Sequence, residues 1–269
     1  MDAPLPGDLY AAAHGCLAAI TPADKVARTA ATVDLYNRGE LTPRADAPGP
    51  QPITAPGHPS RPQLVPPRNV PARKLGTAEG RAILVHAVAH IEFNAINLAW
   101  DAVYRFRGLP WDYYRDWVGV ARDEARHFTL LSTRLAELGH RYGDFAAHNG
   151  LWEMAVKTAD SCLARMAMVP RVLEARGLDA TPGLIKRLRD VGDHATADIL
   201  ETLLREEIPH VAAGTRWFRY CCVQQGCEPE ASFRQLRARY LRGRLRGPFN
   251  LVARHAAGFT TSELAELTA

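Results

Sequence analysis

Asp123-Glu124-Ala125-Arg126-His127 and Glu206-Glu207-Ile208-Pro209-His210 decide how this chain is read, because each is an acid followed by Glu-x-x-His. On a helix, residues three apart share a face within about one turn, so each Glu and its His can reach one metal ion from the same wall. One such tetrapeptide arises readily by chance; two, each set in an apolar helical stripe, are a stronger signal. Glu124 shares its face with Trp117, Val120, Ala121, Phe128, Leu131 and Leu135, and Glu207 with Leu200, Leu203, Leu204 and Val211. A carboxylate in the middle of such a face is buried at a cost of several kcal/mol unless something compensates it, and a metal ion does so.

Outward from these motifs the chain reads as all-α. From Thr77 to about Gln225 it is rich in Ala, Leu, Arg and Glu at helical spacing. Four long segments are predicted there. They are Thr77 to Phe106; Trp111 to Leu138, stopped by Gly139; Leu151 to Gly177, resuming at Leu184 to Val191 after a break at Pro182; and Asp193, an N-cap, to about Gln225. Leu9 to Ala19 and Pro22 to Asn37 predict two short helices, and Pro229 to Arg246 another. Ten of the 19 prolines fall between Pro43 and Pro71, which makes that stretch a linker or an extended wrap. The expected organisation is N-terminal helices over 1–42, the Pro-rich linker or wrap over 43–76, a bundle over 77–227 and an Arg-rich extension over 228–269.

The first long helix supplies Glu92, on a stripe with Val85, Val88, Ala89, Ile96, Ala99 and Val103. The third offers Glu153 and Glu174, and spacing chooses between them. Glu92 and Glu124 are 32 residues apart, Glu174 and Glu207 33. Each pair then sits at one height in a hairpin with arms of about 16 residues, roughly 24 Å, and turns near Gly108 and Gly192. Glu153 would require arms near 40 Å, which the first hairpin could not match. The candidate ligands are therefore Glu92, Glu124, His127, Glu174, Glu207 and His210. One Glu from each of two helices and Glu-x-x-His from each of the other two is the template of ferritin-like di-metal bundles.

The runs His90-Ile91-Glu92, Asp123 to Phe128, Gly150-Leu151-Trp152-Glu153, Pro170 to Asp179 and Pro248-Phe249-Asn250 resemble a ferritin-like family catalogued as a domain of unknown function. The resemblance extends from Leu9 to Leu264. It implies a ferritin-like four-helix bundle with N- and C-terminal helical extensions and a carboxylate-bridged di-metal centre. Glu92 and His127 would cap one ion, Glu174 and His210 the other, while Glu124 and Glu207 bridge. It implies no substrate. Oxygen and imidazole donors suit iron, with manganese or a mixed pair as alternatives, and six protein ligands for two ions leave positions open for O2 or peroxide. The expected function is an O2- or peroxide-activating di-iron oxidoreductase, acting on an unknown substrate with an unknown electron donor. The alternatives are a non-catalytic iron binding or storage protein and a tRNA-modifying di-iron hydroxylase. In the last case the Arg-rich stretch from Phe233 to Arg246 would meet nucleic acid.

Composition sets the outer limits. At 47% hydrophobic and 23% charged, the 269 residues can bury a substantial core, which excludes disorder and coiled coil. No uncharged apolar run reaches membrane-span length, and Met1 to Pro4 lack a signal-peptide pattern, so a cytoplasmic protein without membrane contact is expected. Five cysteines at irregular spacing read as reduced thiols rather than a disulfide framework. A net charge of +4 creates no strong field for nucleic acid. Four further expectations follow. His86 and His90, about 200° round the helix from Glu92, form a second polar stripe with Asn94, Asn97 and Asp101, around the metal or at the surface. Asp123 and Glu206 either orient the histidines or are plain surface acids. Pro209 kinks its helix. The break from Gly177 to Pro182 opens a substrate mouth beside the metals.

Overall fold

The structure is a computed structural model that describes residues 7–241, 243 and 245–268. Met1 to Pro4, used in the signal-peptide reading, and Arg242 and Arg244 of the Arg-rich run lie outside them. The fold is all-α apart from one short parallel strand pair, and it divides into two compact units, one running to Val156 and one starting at Lys157.

The first unit is built around α3 (Ala78–Arg105), which is buried on almost every face. Thr77 starts it by accepting from Gly80 N. Gly108, with φ +69°, turns the chain into α4 (Trp111–Glu137). Glu92 meets His127, Phe93 meets Phe128 and the Ala102 carbonyl accepts from Tyr113, so the two helices run antiparallel. Upstream, α1 (Leu9–Ala18) packs on α3 and α2 (Pro22–Asn37) on α4, the latter capped by Thr21 with Pro22 in its first turn. β1 (Gly7–Asp8) pairs in parallel with β2 (Leu41–Thr42).

α3 is, among the described residues, the one helix long and apolar enough to cross a membrane, although it is not an uncharged run. Glu92 and two histidines interrupt it, and 78% of its most apolar window is buried inside the protein, as befits a central core helix. Residues 43–76 form a wrap rather than a loose linker. Gln51 N donates to the Tyr104 hydroxyl, Gly57 N to the Leu17 carbonyl, and Val65 N and Ala147 N form a reciprocal pair with Ala147 and Gln63. The Thr54 carbonyl accepts from the indole of Trp152 in α5 (Gly150–Lys157).

The second unit corrects the third predicted helix. α5 ends at Lys157; after a short turn come α6 (Cys162–Met168), a π-helical turn (Val169–Glu174), α7 (Ala175–Asp190) and α8 (His194–Gln225). The break thus lies near Thr158–Ser161, and α7 runs unbroken through Gly177 and Pro182. Pro182 cannot donate to the Leu178 carbonyl four residues back. The side-chain amide of Asn250 donates to that carbonyl instead, at 3.2 Å, and Asp179 beside it accepts from Asn250 N and from Arg254. The expected break from Gly177 to Pro182 is therefore absent, and with it the helix interruption on which the mouth was argued. Pro170 has the opposite effect. It cannot make the α-type bond, and the helix widens into the π-helical turn that ends at Glu174.

Gly192, with φ +77°, turns α7 into α8, whose cap Asp193 accepts from Thr196 N. Arg189 reaches Asp198 and Glu201, so these helices are also antiparallel. α9 (Pro229–Tyr240), α10 (Leu251–Ala256) and α11 (Thr261–Thr268) complete the unit. Arg171, which the sequence reading left without a role, is buried among the rings of Phe218, Phe233 and Phe259 and ion-paired to Glu263. That cluster ties the π-helical turn to the C-terminal helices, although burial holds the guanidinium below its usual pKa.

Candidate metal centre

In the first unit, the apolar stripe of α4 turns inward. Trp117, Val120, Ala121, Phe128, Leu131 and Leu135 are all buried, and they carry Glu124 and His127 in with them. Glu124 is 1% exposed, His127 fully buried and Glu92, opposite on α3, 5% exposed. His127 Nδ1 stands 3.2 Å from Glu92 Oε2 and 3.6 Å from Glu124 Oε2. Each of the three offers a ligand atom, and these atoms lie within 4.8 Å of one another. Two carboxylates and an imidazole converging where water is excluded make a donor set for a cation.

The second unit repeats the pattern with different construction. Glu207 and His210 share a face of α8, with His210 Nδ1 3.5 Å from Glu207 Oε1. His210 is buried, while the Glu207 side chain keeps 15% of its surface. α8 continues unbroken through Pro209. Gly214 packs so closely on the Pro170 ring that a β-carbon there would overlap it. Together with the Arg189–Asp198 contact, this register brings Glu174 to the level of His210, as Glu92 stands level with His127. Glu174 is half-buried at the end of the π-helical turn, and Glu153, the rejected alternative, is exposed on α5.

A family model described as "Protein of unknown function (DUF455)" matches residues 18–265, a span that holds all six candidate ligands. The chain belongs to the DUF455 family. This DUF455 chain is 46% identical over 215 residues to an uncharacterized protein of Haemophilus influenzae, covering 77% of the chain and 74% of that protein. No solved structure matches it.

Other residues singled out in the DUF455 sequence fall into place around this. Asp123 accepts from Arg122 at 3.0 Å and Glu206 lies 3.7 Å from Arg205, and both side chains are partly exposed. His86 and His90 are not at the surface; they are 1% and 8% exposed, and burial pushes both imidazoles down to about 4. His86 Nε2 accepts from Gly143 N. His90 Nε2 stands 3.1 Å from both the His148 carbonyl and Asn94 Nδ2, and its Nδ1 2.8 Å from the Tyr142 hydroxyl. The cover over this stripe, residues 43–76 and 142–149, carries no periodicity linking it to α3, which is why the sequence reading missed it. All five cysteines are free thiols. Arg234 of the Arg-rich stretch pairs with Glu266, an acid of the C-terminal extension itself, at 2.6 Å.

Proposed function

We propose that this DUF455 protein holds a carboxylate-bridged di-iron centre in a ferritin-like four-helix bundle and acts as an O2- or peroxide-activating oxidoreductase. The ligands in this reading are Glu92, Glu124, His127, Glu174, Glu207 and His210. The observation that supports it is the convergence of Glu92, Glu124 and His127, all at most 5% exposed, with ligand atoms within 4.8 Å. Their chemistry fits: carboxylate oxygens and imidazole nitrogen suit iron or manganese, and four carboxylates balance two divalent ions, so the group is neutral when loaded. Ferrous ions held by these six residues would supply the electrons for reducing O2 or peroxide, to be restored by an external electron donor.

The chain's own contribution is positioning. The apolar stripes of α3 and α4 keep water from the donors, which strengthens their attraction for a cation. His127 presents Nδ1 toward both carboxylates, and the ring can give that lone pair to a metal or, protonated there, donate to Glu92. Glu174 depends on the π-helical turn for its orientation, a feature frequent at functional sites.

The test is protein loaded anaerobically with Fe(II) and then exposed to oxygen. Two irons per chain and O2 uptake in excess of the buffer control are expected. Binding without O2 uptake would favour the iron-storage alternative, and no binding would remove the reading altogether.

A further inference from the structure

On the side of α3 turned away from Glu92, the Pro-rich wrap does not close completely. It roofs a cavity of about 120 Å³ over the polar stripe. The floor is Phe93, Asn94 and Asn97 of α3, Tyr142 forms a wall, and Pro59 and the 41%-exposed Leu64 stand in the roof. A single water needs only about 10–15 Å³ measured this way, so the space admits a small molecule. None of the lining side chains is an acid, a lysine or an arginine.

Asn97 singles out what the space would take. It is 1% exposed, and its Nδ2 donates to the Phe93 carbonyl at 3.2 Å, which fixes the orientation of the amide. Its Oδ1 is buried and accepts no hydrogen bond from the protein. A buried acceptor left this way costs about 1–3 kcal/mol, and folded proteins leave few of them. Around it, Asn94 Nδ2 donates to the His90 carbonyl at 2.8 Å and the Tyr142 hydroxyl lies 2.8 Å from His90 Nδ1, while His58 and Asn149 complete the polar part of the lining. Aromatic and proline walls without an acid, lysine or arginine, together with the buried, unpartnered Asn97 Oδ1, are complementary to a flat, neutral molecule with a hydrogen-bond donor.

We infer that this cavity is a binding site for an uncharged planar heteroaromatic ring bearing an N–H group, oriented by donation of that N–H to Asn97 Oδ1. The site lies on the opposite face of α3 from Glu92 and does not depend on the metal reading.

Indole and uracil serve as probes, with N-methylindole and benzoate as controls, titrated at millimolar concentration and followed by ligand-observed NMR. Indole and uracil should bind the full-length protein at one site. N-methylindole, which lacks the donor, and benzoate, which brings a charge into a neutral cavity, should bind at least about tenfold more weakly. Asn97→Leu keeps the shape and removes the acceptor, so it should weaken indole by about the same factor. Ala55→Trp fills the cavity from the exposed wrap, where the fold tolerates a large side chain, and should abolish binding even if Asn97→Leu fails to fold. Metal content should be unchanged in Ala55→Trp, which separates this site from the metal centre. No binding of indole or uracil, equal binding of N-methylindole, or indole binding that survives Ala55→Trp would overturn the inference and leave the cavity as a hydration site.

Discussion

The α3–α4 hairpin and the α7–α8 hairpin carry the same pattern of acids and histidine at nearly the same spacing, yet they are built differently. In the first, two uninterrupted helices bury Glu92, Glu124 and His127 to 5% exposure or less. In the second, Glu174 is reached through a broken helix and a π-helical turn, Pro209 separates the two α8 donors, and Glu207 stays partly exposed. In the first hairpin the donors are carried inward by the buried apolar stripes of the helices themselves. The second has compensations supplied from the C-terminal segment: Asn250 and Arg254 at Pro182, and Glu263 with Phe233 and Phe259 at Arg171.

The largest effect that tests this contrast is metal loading. A ligand at a thousandfold excess over its Kd stabilises the native state by about 4 kcal/mol. If the six residues share their ions, Fe(II) should slow hydrogen exchange in both hairpins, with the greater gain in α7–α8, the less buried of the two. Slowing confined to α3–α4 would mean that the second hairpin is no part of the centre.

Acid sensitivity should separate the units next. His86, in the first unit, has its pKa pushed from 6.5 to about 4 by burial. The folded state therefore binds its proton less readily than the unfolded chain does. Its contribution is fully present above about 6.5 and is lost as pH falls from there toward 4, a cost of about 3 kcal/mol at the end of that window. Urea melts should show this loss, and His86→Phe should flatten the profile. An unchanged slope would contradict the assignment.

Smaller effects probe the second hairpin. Gly214→Ala puts a methyl against Pro170 and should cost about 1–3 kcal/mol. Adding Pro170→Ala should recover part of that loss, and strict additivity in the double-mutant cycle would show that the two do not touch. Asn250→Ala should cost about 1 kcal/mol for the hydrogen bond to the Leu178 carbonyl. It should cost less when Pro182→Ala restores the helix's own donor.

The same contrast explains what was legible beforehand. Thr21, Thr77 and Asp193 start helices where their side chains and spacing predict, and Gly108 and Gly192 turn both hairpins, because these signals are local. Pro182 misled because the groups that make it harmless in α7 lie about 70 residues further along the chain. Pro170 carried a signal for distortion, but a proline alone does not say whether a helix breaks or widens. The burial of His86 and His90 was equally hidden, since their cover comes from residues with no regular pattern. Of the candidate site, Glu92, Glu124 and His127 were readable as acids and an imidazole trapped in apolar stripes. Glu174 was reached only through hairpin symmetry.

The most direct test of the central claim is the iron content of native protein, Glu124→Ala and His210→Ala after anaerobic loading with Fe(II), with helicity checked by circular dichroism. The account predicts two irons in the native chain and a strong loss in each variant, with all three equally helical. Retention of two irons by both variants would contradict it.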